Sequence, residues 1–123
     1  MEIDGRVVKG LGEGSHYVQI PEYKNQFIER LGFTPYPGTL NLRVKEGLEA
    51  LGRREGIEVE GFTKGGRSFG PVKCFKARIG GIAGAVVIPA RGRHAETLEF
   101  IAPVKVREVL KLADGDVVRI ELL

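Results

Sequence analysis

The stretch Phe33-Thr34-Pro35-Tyr36-Pro37-Gly38-Thr39-Leu40-Asn41-Leu42 brings two neutral oxygen ligands together on a constrained piece of chain. Thr39 offers an alcohol and Asn41 a carboxamide; alternate residues of an extended chain share a face, so both point the same way. Such a pair suits a hard cation that keeps waters and phosphate oxygens in its shell, as Mg²⁺ does. Taken alone, Thr-x-Asn is also what the polar face of any strand shows. No Asp or Glu lies between Phe33 and Leu42, so the corner itself offers a metal no negative charge, and phosphates would have to supply it.

Three other places carry chemistry-bearing side chains or backbone. In Gly10-Leu11-Gly12-Glu13-Gly14-Ser15, glycines at every second position let backbone N–H groups converge on an anion, with Lys9, Ser15 and His16 close by. No Gly-Lys-Ser/Thr follows, which excludes a P-loop. The next residues, Tyr17-Val18-Gln19-Ile20, read as a strand where a dinucleotide-binding turn needs a helix. A plain glycine-rich hairpin connection is the other reading. Lys105 and Arg107 fall near the start of a short helix expected from Pro103 to Leu110, a place that attracts anions. Glu99 shares a strand face with Thr97 and Ile101, which directs it inward or into a cleft. Lys64-Gly65-Gly66-Arg67 could touch an anion or form a solvated hairpin tip.

The elements that must position these groups follow from pattern. Residues 2–9 read as a strand, and Pro21 opens a helix with Tyr23, Phe27, Ile28 and Leu31 on one face and Gly32 as its stop. Pro35, Pro37 and Gly38 make a rigid turn, after which Leu40, Leu42 and Val44 alternate towards a core. A short helix is expected over Lys45–Arg54, a strand at Ile57–Val59 and a loop over Phe62–Gly70. Val72–Ile79 and Ile82–Ile88 form a hairpin at Gly80-Gly81. Ala90–Glu96 is a basic loop, Thr97–Ile101 a strand, Leu112–Asp116 a turn and Val117–Leu122 the last strand. Six or more short strands with only two or three helices predict a mainly β fold, a small Greek-key β-barrel.

Composition narrows the function classes. The 123 residues are enough for a single core, with no linker, so one domain over residues 1–123 is expected. Gly is 18 and Pro 6, which favours tight turns between strands over a helical bundle. The single cysteine, Cys74, excludes a disulfide framework and is expected as a small buried hydrophobe in a reducing cytoplasm. The acidic, interrupted N-terminus lacks the basic start and apolar run of a signal peptide, and the uncharged stretch Gly80–Ala90 is far short of a membrane span. A net charge of +3 from 19 basic and 16 acidic residues, well mixed, is compatible with phosphorylated ligands. Together with 7% aromatics, it argues against a nucleic-acid binder. No Trp, only two Asn residues and 28% charged residues lean towards a heat-adapted source.

Taken in order, four motifs resemble the archaeal CTP-dependent riboflavin kinases: Gly10-Leu11-Gly12-Glu13-Gly14; Leu31-Gly32-Phe33 with Pro37-Gly38-Thr39-Leu40-Asn41-Leu42; Leu98-Glu99-Phe100-Ile101-Ala102-Pro103 running into Lys105-Val106-Arg107; and Asp114-Gly115-Asp116. Each is weak alone, and the ordered set is specific. The resemblance spans nearly the whole chain. It implies a six-stranded cradle-loop β-barrel that transfers the γ-phosphoryl group of CTP to the 5′-hydroxyl of riboflavin, giving FMN and CDP. It further implies that Gly10, Leu11, Gly12, Glu13, Gly14 and Ser15 bind the nucleotide from one side, and Val104, Lys105, Val106 and Arg107 from the other. Thr39 and Asn41 would hold Mg²⁺, bound with the nucleotide. Glu99 would contact the flavin and is the inward carboxylate available to orient or deprotonate the alcohol. Gly92 stands where a flavin-contacting Thr is expected, with one residue fewer between it and Glu99. Some relatives carry an added N-terminal helix-turn-helix domain, and none is expected in this chain.

The expected partners are therefore CTP or CDP and riboflavin or FMN, with no nucleic acid, no membrane and a monomeric cytoplasmic protein. Two readings from other classes stand beside this one: a regulatory barrel that binds nucleic acid through its basic loops, and a flavin or nucleotide sensor without turnover.

Overall fold

A computed structural model describes residues 1–10, 17–90 and 96–123. Among these, the strands are β1 (Glu2–Val8), β2 (Leu40–Arg43), β3 (Ile57–Val59), β4 (Phe62–Lys64), β5 (Arg67–Phe69), β6 (Val72–Ile79), β7 (Ile82–Pro89), β8 (Thr97–Ile101) and β9 (Val117–Leu122); the helices are α1 (Pro21–Leu31), α2 (Leu48–Arg53) and α3 (Val106–Val109). The sheet runs β3-β6-β7-β8-β2-β1-β9, and a further pairing of β9 with β6 closes six strands into an antiparallel barrel. Closure is possible because β6 divides its far edge: Val72–Cys74 pair with β3, and Ala77–Ile79 with β9. A closed barrel leaves no long edge open to another chain.

Alternation builds two cores. Ile3, Val7, Leu40, Leu42, Phe75, Val86, Ile88, Leu98, Phe100 and Ile120 fill the barrel interior, joined by Leu48 and Leu51 of α2 and by Val106 of α3. The opposite faces of β6, β7 and β8 present Cys74, Ala85, Val87 and Ile101 to α1, whose Tyr23, Phe27 and Leu31 cover them. That is why β7 reads as a nearly unbroken apolar run: it is buried on both sides. Gly32, at φ 82°, ends α1 as expected, and Gly80 and Gly81, both at positive φ, make the β6–β7 hairpin.

Several local expectations need correction. Residues 17–19 are helical where a strand is expected, forming a turn that leads into α1. Ile28 is exposed, so the buried stripe of α1 is one residue narrower. α2 begins at Leu48 because its N-cap Gly47 sits at φ 93°, outside helical backbone. α3 begins at Val106, with Lys105 still extended at ψ 95°. Phe62–Gly70 holds a two-stranded hairpin, β4–β5, which turns through Gly65 and Gly66 at positive φ. Its Phe62 and Phe69 stack at 4.8 Å and pack beside α1. No helix among the described residues is long and apolar enough to cross a membrane.

Candidate functional site

Strand direction decides where the chemistry gathers. β2 runs antiparallel to both β1 and β8, so its first residues lie beside the last residues of those two strands. Register then sets Asn41 between Val8 on one side and Glu99 on the other. Thr39 enters from the turn before β2, which is pinned to the chain after β8 by a hydrogen bond from the Tyr36 N–H to the Ala102 carbonyl (2.7 Å). The same end of the barrel receives Val104–Arg107. A cleft of about 370 Å³ results, lined by Lys9 and Gly10, by Tyr36–Asn41 and by Val104–Arg107.

The polar side chains form a chain of hydrogen bonds. Asn41 Nδ2 donates to Thr39 Oγ1 (3.4 Å), Thr39 Oγ1 donates to Glu99 Oε1 (3.1 Å), and the Tyr17 hydroxyl donates to Glu99 Oε2 (2.9 Å). Glu99 sits on the outer face of β8, on the side of Ile101 and the α1 core, so it points away from the barrel interior and meets the cleft through Thr39. This overturns one expectation. The corner is not without negative charge, because strand pairing delivers a carboxylate from β8 to Thr39 that the local sequence lacks. Burial, and then the neighbouring Glu99 charge and hydrogen bond, push the Tyr17 phenol well above its ordinary range, so it remains a proton donor.

The corner's donor set fits a Mg²⁺ ion. Thr39 spends its proton on Glu99 and keeps lone-pair capacity on oxygen, and with Asn41 Nδ2 turned to Thr39, the carboxamide oxygen is left for another partner. No group of three or more His, Cys, Asp or Glu among the described residues offers an all-protein cage. Cationic side chains complete the cleft: Lys9, Lys105 and Arg107 line it, and Asp114 forms an ion pair with Arg107. α3 is a single turn, so these side chains and not a helix dipole carry the positive charge there.

Of the residues singled out above, Gly10, Thr39, Asn41, Val104, Lys105, Val106 and Arg107 share this cleft, and Glu99 joins it through Thr39. Leu11, Gly12, Glu13, Gly14, Ser15 and Gly92 lie outside the described residues. The Lys64–Arg67 turn stands apart as a hairpin tip, where Lys64 pairs with Glu22 (3.0 Å) and the Arg67 guanidinium covers the Phe69 ring. Cys74 is buried, its thiol pushed up to about 12 by burial. Sequence reasoning missed Tyr17 as a partner of Glu99. The available signal was a polar-tipped aromatic just before a Pro-initiated helix, and reading it as a strand residue hid it.

Fold and site together define a small closed β-barrel with an oxygen-ligand corner and a cationic cleft at one end. The family model CTP-dep_RFKase, described as a domain of unknown function, DUF120, matches residues 7–122, and the chain belongs to that family. Its similar relatives include proteins named riboflavin kinase from Archaeoglobus fulgidus (52% identical, covering 100% of this chain and 55% of the relative) and from Methanosarcina acetivorans (47%, covering 94% and 51%). A third is from Pyrococcus abyssi (50%, covering 98% and 58%). The chain thus spans a little over half the length of these curated relatives.

Proposed function

We propose that this chain is a riboflavin kinase that transfers the γ-phosphoryl group of CTP to the 5′-hydroxyl of riboflavin, producing FMN and CDP. One observation carries the reading: in a member of this family, the barrel end gathers Thr39, Asn41 and the 104–107 segment around one cleft, with Glu99 hydrogen-bonded at its edge. The riboflavin kinase names of relatives matched over nearly the whole chain support the acceptor, and the family's name supports the donor.

Phosphoryl transfer requires positioning and charge neutralisation more than covalent help from the protein. Lys9, Lys105 and Arg107 supply positive charge for the nucleotide phosphates. Thr39 and Asn41 would hold Mg²⁺, which when bound neutralises charge on phosphoryl oxygens. Glu99, held by Thr39 and Tyr17, is the carboxylate assigned to take the hydrogen bond, and then the proton, of the 5′-hydroxyl. The new bond joins O5′ to Pγ, and the bond from Pγ to the β–γ bridging oxygen breaks, leaving CDP.

Incubation of the protein with riboflavin, Mg²⁺ and each nucleoside triphosphate in turn tests this directly. FMN should form with CTP and much less with ATP. Equal rates with ATP would refute the donor, and no FMN with any donor would refute the kinase. Glu99→Gln preserves size and hydrogen bonding but cannot accept a proton, and should lower kcat by roughly 10²-fold or more. An unchanged kcat with a raised KM for riboflavin would leave Glu99 only an anchoring role.

A further inference from the structure

We infer that Tyr17 is a positioning residue for this reaction, holding the Glu99 carboxylate in the orientation that meets the acceptor alcohol; the inference rests on the kinase reading above. Two hydroxyls from separate elements grip the two oxygens of Glu99. Thr39 reaches Oε1 from the turn before β2, and Tyr17 reaches Oε2 from the helical turn at residues 17–19. A hydroxyl donating to a carboxylate makes a charge-assisted bond, and one such bond on each oxygen fixes both the plane and the tilt of the group.

Tyr17 is itself well anchored. Its ring meets the buried Tyr23 edge-on, with centroids 5.7 Å apart and planes at 79°, and its carbonyl accepts from the Ile20 N–H (3.1 Å). Tyr23 in turn donates its hydroxyl to the Gly70 carbonyl. The Glu99 orientation is thereby referred to the rigid α1 core on the outside of the barrel, while Thr39 refers it to the metal corner. Burial and the neighbouring Glu99 charge raise the phenol's pKa, which favours the protonated form that donates to Glu99 Oε2. Tyr17 touches no reacting atom in this scheme.

Tyr17→Phe removes the hydroxyl and keeps the ring against Tyr23, so the variant should fold. Two double-mutant cycles separate the possibilities, one with Glu99→Ala and one with Glu99→Gln. In denaturant unfolding, Tyr17→Phe and Glu99→Ala, which deletes the acceptor, should be non-additive, because each removes the same bond; additive losses would mean the bond does not form, and would overturn the inference. In steady-state kinetics, Tyr17→Phe should lower kcat by about tenfold or more with KM for CTP unchanged, since a small misplacement of a reacting group is costly. On the Glu99→Gln background it should cost nothing further. An unaltered kcat, or an equal fall on both backgrounds, would reduce Tyr17 to a structural residue. A wild-type chain that makes no FMN would sink the kinase reading alone, and the unfolding cycle would still report on the Tyr17–Glu99 link.

Discussion

Gly10 lies so close to Asn41 that a Cβ built on it would stand 2.3 Å from the carboxamide nitrogen. The clashing atom is the tip of a flexible side chain, and the Gly10 backbone is not among the positive-φ glycines, so the fold could accept alanine there while the carboxamide could not stay in place. Gly10→Ala is therefore expected to weaken Mg²⁺-dependent CDP binding by about tenfold, as losses of a metal ligand's immediate support do, with the unfolding midpoint nearly unchanged. Calorimetric titration and thermal melts check the two halves. Asn41→Ala should give the same pair of results, since it deletes the proposed ligand that Gly10→Ala would displace. A melt lowered by many degrees in either variant would show the corner to be structural and not a binding device.

At the scale of the element, β2 is the strand on which site and core meet. Leu40 and Leu42 fill the barrel interior, while Thr39 and Asn41 face the cleft, and pairing on both sides with β1 and β8 locks this register. A slip of one residue would exchange the two faces. Leu40→Ala should cost roughly 2–5 kcal/mol of unfolding free energy, as a buried leucine does when its cavity cannot collapse. Equilibrium denaturation against the Asn41→Ala variant tests the separation of roles. Reversal, with Asn41→Ala unfolding the protein and Leu40→Ala sparing its stability, would mean the strand faces are misassigned. The alternation that set these faces was plain in the sequence, because a period of two admits only one choice of core face here. The helical turn at residues 17–19 was not. Tyr17, Val18 and Ile20 suit a strand by type, and only docking of that segment onto the α1 core favours the helical backbone.

For the molecule as a whole, the proposed function would have the cleft couple two ligands, nucleotide and Mg²⁺. Thr39 and Asn41 are uncharged, and Glu99, the carboxylate brought to the corner among the described residues, already accepts hydrogen bonds from Thr39 and Tyr17. Nucleotide phosphates must supply most of the negative charge that a Mg²⁺ ion needs to shed water. Mg²⁺ should therefore bind weakly to the free protein and much more tightly with CDP present. By linkage, CDP should tighten with Mg²⁺ by the same factor. Titrations of CDP with and without Mg²⁺, and of Mg²⁺ with and without CDP, measure both arms of this cycle. Tight Mg²⁺ binding without nucleotide would show that Glu99 enters the metal's shell directly instead of orienting Thr39.

The sequence by itself determined the strand periodicities, the hairpin at Gly80-Gly81, the stop of α1 at Gly32 and the shared face of Thr39 and Asn41, because each depends on residues a few positions apart. Its ordered motifs also determined the family, through a match that covers residues 7–122. Only the tertiary structure decided that Glu99, 60 residues after Thr39, would stand within hydrogen-bond distance of it, and that Tyr17, 82 residues before Glu99, would hold the other oxygen. Such partners are chosen by strand order and register across a closed barrel and by the packing of α1 on its outside, and no local pattern of residues encodes either choice.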